Sequence, residues 1–208
     1  MQDSLAQVQW DLAAKAKVPL IGYFFISTAL YSGVDIFYYD SWGLYLFSSM
    51  LVWVLGYVLL FLLLRHSAQE GEKPPKGSIS SYFALGIIVG LAIMVGLVAL
   101  ILPGLYLMLR WLPAYARAAD SGLGSSEAMG WSWQGTARIQ KPLAFALIGP
   151  VLANVAAFGI AAFQEFQFDN LSLELYSLTS IALNAAVSIA IAWLQLLGVA
   201  AFRIIERG

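Results

Sequence analysis

Apolar and polar positions fall in long blocks along this chain. Five apolar blocks stand out: Val18 to Val34, Gly43 to Leu64, Ser81 to Leu102, Leu143 to Phe163 and Leu178 to Phe202. Each reaches or approaches the roughly 20 residues that a helix needs to cross a hydrocarbon core. A sixth stretch, Gly104 to Ala118, is about 15 residues or ~22 Å as a helix, short of the ~30 Å core. The third block and this short stretch meet in ILPGLYLMLRW, residues 101 to 111. Tyr82 to Leu109 carries no charge, Pro103-Gly104 interrupts it, and Arg110 ends it. The expected class is an all-α membrane protein with about six membrane-embedded helices.

The polar stretches between the blocks also have a pattern. SAQEGEKPPKGSIS (67–80) reads as a surface loop, because Pro-Pro and Gly cannot continue a helix. After the turn near Gly122 to Gly124, Ser125 or Ser126 is a candidate N-cap, with Glu127 in the positively polarised first turn. Met129, Trp133 and Ala137 then recur at i, i+4, i+8, predicting an amphipathic interfacial helix. The N-terminal segment reads the same way, with Leu5, Val8, Leu12 and Ala16 on one face. Both lead into a span through a basic residue and a proline, Lys17-Val18-Pro19 and Lys141-Pro142. At an offset of 123, Trp10 faces Trp133, Ala14 faces Ala137, Lys15 faces Arg138 and Pro19 faces Pro142. Residues 4–64 and 125–203 are therefore candidate repeat units flanking the 81–118 segment, within one integral-membrane domain over 1–208.

Composition supports the membrane class. The chain has 208 residues, 61% of them hydrophobic and only 11% charged, against about 45–50% and about 25% in soluble domains. A net charge of -1 gives no reason to expect nucleic acid as a partner, and the absence of cysteine excludes disulfide and thiolate chemistry. The N-terminus, with Asp3 and Asp11 and no early basic cluster, does not read as a signal peptide.

Charge then selects the topology. If 81–109 crossed once, the 11 basic residues would split five against six, with no orientation signal. If 81–118 is a re-entrant hairpin with its apex at Pro103-Gly104, all 11 fall on one side with seven acids, giving +4. Asp35, Asp40, Glu165, Asp169 and Glu174 fall on the other, giving -5. Basic residues favour the cytoplasmic side, so the hairpin is expected, with both termini cytoplasmic. Arg110 would lie about 9 Å below the apex, where a charge faces a partner, a cavity or an interface reached by snorkelling.

Small residues predict helix packing. Gly149, Ala153, Ala157 and Ala161 recur at i+4, as do Ala182, Ala186 and Ala190, and Gly86-x-x-x-Gly90 lies in the third block. Such stripes let helices approach closely in lipid. The last two spans are expected to pack on each other, with the Gly86/Gly90 face on a neighbour or another copy. Asn184, Ser188 and Gln195 share a face of the last span, with Asn154 in the one before, as candidates for interhelical hydrogen bonds or a polar path. Catalytic constellations are not found. His66 is the single histidine, expected to be solvated at a membrane edge, and the far-side acids read as solvated too. No metal and no cofactor is expected. Phe37, Tyr38, Tyr39 and Trp42, and on the other side Trp111, Trp131 and Trp133, read as interface belts.

The stretch ILPGLYLMLRWLPAYARAADSGLGSSEAMGWSWQGTAR resembles the signature region of YciC-like bacterial inner-membrane proteins. These are related to the integral-membrane domain beside some glycerophosphodiester phosphodiesterases. The matching residues are Pro103, Gly104, Tyr106, Arg110, Gly124, Glu127, Ala128, Ser132, Trp133 and Thr136, while Gly135 before Thr136 departs from the usual order. No phosphodiesterase domain accompanies the motif, so that activity is not carried over. The resemblance implies a six-helix, multi-pass bacterial inner-membrane protein with a role in envelope or lipid homeostasis. A non-enzymatic protein acting through lipid or protein interaction is the first expectation. Its partners would be membrane lipids, a membrane-protein partner or a second copy. A small transporter or channel for a polar or lipidic solute is the alternative.

Overall fold

The computed structural model describes residues 4–38, 41–69, 72–99, 101–167 and 172–207. Among these residues the chain is all-α, with no strand. Eight helices follow in order: α1 Leu5–Lys15, α2 Lys17–Phe37, α3 Trp42–Ser67, α4 Ile79–Ala99, α5 Ile101–Trp111, α6 Ala114–Ser121, α7 Ser125–Gln167 and α8 Leu173–Arg207. Five of them, α2, α3, α4, α7 and α8, are long and apolar enough to cross a membrane. Tyr39, Asp40 and Asp169 of the sequence analysis lie outside the described residues.

The chain divides into two compact units. The first comprises residues 1–17, 60–147 and 194–208, the second 18–59 and 148–193. In the first unit, Ser4 Oγ accepts from the Gln7 amide at 3.2 Å and caps α1. The expected face of α1 is buried at Leu5, Leu12 and Ala16. It packs on Leu109, Leu143, Leu147 and Leu197, so α1 buries its apolar stripe in protein. A second cluster joins Leu85 and Val89 of α4 to Ala114 and Ala118 of α6 and to Ala128.

The residues expected at the apex lie within a helix. α4 ends at Ala99 and α5 begins at Ile101, so Pro103 and Gly104 lie inside the first turn of α5. Proline is tolerated there because amides of a first turn have no intrahelical acceptor. Gly104 instead serves close packing: a Cβ built on Gly96 would lie 2.8 Å from the Gly104 Cα. The short returning arm is not one helix either. It breaks after Trp111 and resumes as α6 at Ala114, because Pro113 cannot donate to the carbonyl four residues back and crowds it. Gly122, at φ +70°, closes α6, its amide bonded to the Ala118 carbonyl.

The 67–80 segment is more than a surface loop. Its Pro75 is buried. The amides of Lys76 and Gly77 donate to the carbonyls of Asp120 and Ala119 at 3.0 and 2.9 Å, tying the segment to the end of α6. The expected helix after Gly124 forms the first part of α7 and is set off from the long apolar part that follows by a break at Ile139 (φ -114°, ψ 17°). The junction of α1 and α2 at Ala16 has φ -103° and ψ 28°. Ile139 follows Ala16 by the same offset of 123, and each precedes a proline by three residues. In both places the proline ring denies the residue four before it an amide partner.

In the second unit α2 meets α8 through polar side chains. Ser27 Oγ donates to Ser188 Oγ at 2.9 Å, and Asn184 Nδ2 reaches Ser32 Oγ at 3.3 Å and Asp35 Oδ2 at 2.6 Å. Gln164 of α7 reaches Thr179 Oγ1 and Ser180 Oγ of α8. Phe37, Tyr38 and Trp42 are exposed.

Candidate functional site

The residues of the 101–138 motif converge in the first unit. Arg110 sits in the last turn of α5 and is 5% exposed. Its guanidinium carbon lies 4.4 Å from the ring centre of Trp133 and 5.8 Å from that of Tyr106. The two rings meet edge to face at 5.7 Å, with Trp111 tilted 6.0 Å from Trp133. Trp133 is 37% and Tyr106 41% exposed, so the aromatic group reaches the molecular surface beside a nearly enclosed cation.

The backbone there is held from outside its own helix. Ser132 Oγ donates to the Arg110 carbonyl at 2.7 Å, with Thr136 Oγ1 at 3.5 Å. Carbonyls in a helix's last turn lack intrahelical partners, and these hydroxyls supply one. This corrects the face read for the first part of α7. Ala128, Ser132 and Thr136 are the buried line, while Ala137 is exposed and Trp133 partly so. The buried line lies one residue back because Ser132 and Thr136 set small hydroxyl side chains against the Arg110 carbonyl, while the larger Trp133 packs on the side chains of Arg110 and Tyr106 and reaches the surface. Glu127 stands in the first turn of α7, as expected, and is exposed.

Among the described residues no carboxylate pairs with Arg110, and its Nε is buried without a hydrogen-bond partner. Arg203, equally buried at 4% exposure, is the contrast. Its terminal nitrogen Nη1 lies 3.1 Å from Glu72 Oε2 and 3.0 Å from Glu206 Oε2. Its Nε donates to Ser67 Oγ at 2.9 Å and its Nη2 to the Leu64 carbonyl at 3.3 Å. Arg117 lies 3.6 Å from Glu206 and stacks over Trp131 at 5.1 Å. Burial beside this group raises the Asp120 carboxyl above its ordinary range, against the pull of Arg203. By sequence alone Arg203 counts only as a basic residue. Its signal was an arginine in an apolar stretch with Glu206 at i+3.

A polar cleft of about 410 Å³ opens beside Arg203, lined among others by Asp11, Lys15, His66, Gln69 and Arg207. His66 is partly buried, its Nδ1 2.7 Å from the Leu62 carbonyl. It is thus bound to its own helix and not simply solvated.

The remaining expected site residues separate. Asn184 joins Ser32 and Asp35, and Tyr45 Oη donates to the same Asp35 carboxylate. Asp35 is therefore a partly buried acceptor and not a solvated acid. Asn154 spends its amide on its own helix, donating to the Pro150 carbonyl at 2.8 Å, and does not join Asn184. Of the small-residue stripe, Ala157 is buried, Ala153 partly buried, and Gly149 and Ala161 exposed. Gly86 is partly buried. A Cβ on Gly90 or Gly149 would meet nothing within 4 Å, so neither is a close contact among the described residues. The close approaches fall instead at Gly96, at Gly135 against the Ile205 side chain, and at Gly198, where a Cβ would lie 3.2 Å from the Leu112 carbonyl oxygen. No group of three or more metal-ligating side chains occurs among the described residues.

Charge divides with the two units. The first holds all eleven basic residues and seven of the acids, a net +4, and the second holds five acids and no basic residue, a net -5. Comparison with family models, with curated proteins and with solved structures gives no match for this chain.

Proposed function

We propose that the chain is a multi-pass bacterial inner-membrane protein of the YciC-like kind that works by binding lipid or a protein partner and not by transforming a substrate. The observation that carries this reading is the charge division: eleven basic residues in one compact unit and none in the other. A polytopic protein oriented by the positive-inside rule has this distribution. On this reading both termini, the 67–78 segment and the start of α7 are on the cytoplasmic side. The ends facing the 38–41 and 168–172 connections lie outside. The basic side then faces the anionic surface of the cytoplasmic leaflet. Its aromatic side chains suit headgroup depth.

A small transporter or channel for a polar or lipidic solute is the second reading. The matched breaks at Ala16 and Ile139 favour it, since repeated units are a common transporter plan. Against it, neither the polar cleft nor the apolar groove of about 430 Å³ between α2 and α3 includes Arg110, Asn154 or Asn184.

The test is extraction of the full chain in mild detergent followed by native mass spectrometry. Retained anionic phospholipid or a stoichiometric protein partner is expected. Release of the chain free of both, with solute flux in proteoliposomes, would replace the first reading by the second.

A further inference from the structure

We propose that Arg110 is the anchor of a phosphate-ester site, with Trp133 and Tyr106 as its walls. The inference rests on the membrane reading above. It begins from an imbalance: two arginines of the first unit are almost equally buried. Arg203 is neutralised by two carboxylates, a hydroxyl and a carbonyl. Arg110 has none of these among the described residues, and its Nε lacks any hydrogen-bond partner.

An arginine stays charged inside a protein, and a buried charge without an opposite charge is costly. The two rings offset part of that cost through their faces. A guanidinium donates in its own plane, and the ring contacts satisfy none of the Arg110 N–H donors. Those donors match the paired oxygens of a carboxylate or phosphate. Among the described residues no carboxylate reaches Arg110, and an anion from outside the chain would supply the missing partner.

Two observations narrow its class. The walls are half-exposed aromatics, the side chains that settle at headgroup depth. Phosphate esters of glycerophospholipids are the abundant anions at that depth. The anchor is also fixed in advance. Its carbonyl is held by Ser132 and Thr136, so little ordering remains to be done on binding. A water-soluble phosphate ester presents the same oxygens, and the experiment separates the two sources.

The full chain in neutral detergent is titrated with phosphatidylglycerol, with diacylglycerol and with inorganic phosphate, and binding is read by native mass spectrometry. Phosphatidylglycerol is expected to bind wild type about tenfold to a hundredfold more tightly than Arg110→Gln. Diacylglycerol should not distinguish them. Arg110→Lys, which keeps the charge and loses the fork, should fall between. Lys73→Gln removes an exposed charge of the same unit and should bind as wild type. Trp133 is stacked on the anchor, so wild-type tryptophan emission should shift on lipid addition, a readout that needs no variant to fold. Inorganic phosphate bound by wild type and lost in Arg110→Gln would assign the site to a soluble ester. Equal lipid binding by wild type and Arg110→Gln, with unchanged emission, would overturn the site and leave the membrane reading standing. Wild type that retains no lipid and no partner would overturn both.

Discussion

A Cβ on Gly96 would lie 2.8 Å from the Gly104 Cα and 2.9 Å from its amide nitrogen. Both are backbone atoms, so the clash cannot be relieved by a rotamer change. Gly96→Ala should destabilise the α4–α5 hairpin by about 1–3 kcal/mol, the usual cost of overpacking. Gly90→Ala, on the same helix with open space around it, should leave the unfolding temperature unchanged or slightly raised. Thermal unfolding in detergent compares the two, and equal losses would remove the argument. Asp120 gives a pH prediction. Its folded-state pKa is raised by burial, so folding favours the protonated acid. That contribution is present below the unfolded value, about 3.9, and is lost as pH rises through the folded value. Asp120→Asn should therefore be more stable than wild type at about pH 7, with the difference shrinking toward about pH 4. A difference independent of pH would contradict this. Neither residue was legible in the sequence. Gly96 was one of 18 glycines, and only tertiary packing tells a crowded one from an open one. Asp120 lay in a stretch that reads as a turn, while the carboxylates and guanidiniums around it come from distant segments.

Helices carry a different kind of information. The five long apolar blocks correspond to α2, α3, α4, α7 and α8 because length and hydropathy are local properties. What failed depends on the partner. The face of α7 was read one residue away from its true line, since Met129-Trp133-Ala137 is the more apolar row. The structure buries Ala128-Ser132-Thr136 instead, where two hydroxyls meet the Arg110 carbonyl. By sequence Pro103-Gly104 reads as a break, because proline and glycine break helices; the first-turn exception cannot be seen without knowing where α5 starts. The proline at the other break is testable. Pro142→Ala restores an amide donor to the Arg138 carbonyl and removes the ring that crowds it. The bend at Ile139 should then relax toward straight helix. With no native cysteine, spin labels at Glu127→Cys and Val151→Cys report the change cleanly. Their separation should lengthen in the Pro142→Ala background, and an unchanged distance would show that tertiary packing alone holds the break.

At the scale of the whole molecule, charge was the most informative feature of the sequence. Counting basic residues required no contacts, yet the division it produced, +4 against -5, coincides with the partition into compact units. The agreement has a physical source. Charged groups avoid the hydrocarbon core, so they gather where helices end and connect, and those ends also pack together. The candidate site was legible only as a list. Tyr106, Arg110, Ser132, Trp133 and Thr136 were named together, but that two of them form walls and two hold a carbonyl needed the structure. The topology then makes a sharp demand. Lys73 and Lys141 are exposed residues of the basic unit, and Glu174 is an exposed residue of the acidic one. In spheroplasts, a membrane-impermeant maleimide should label Glu174→Cys at once. Lys73→Cys and Lys141→Cys should label only after the membrane is opened. The same pattern must hold on both sides of 81–118, since Lys73 precedes the segment and Lys141 follows it. Opposite labelling of those two would mean that the segment crosses the membrane once. The proposed return of 81–118 to the side it starts from would then be excluded.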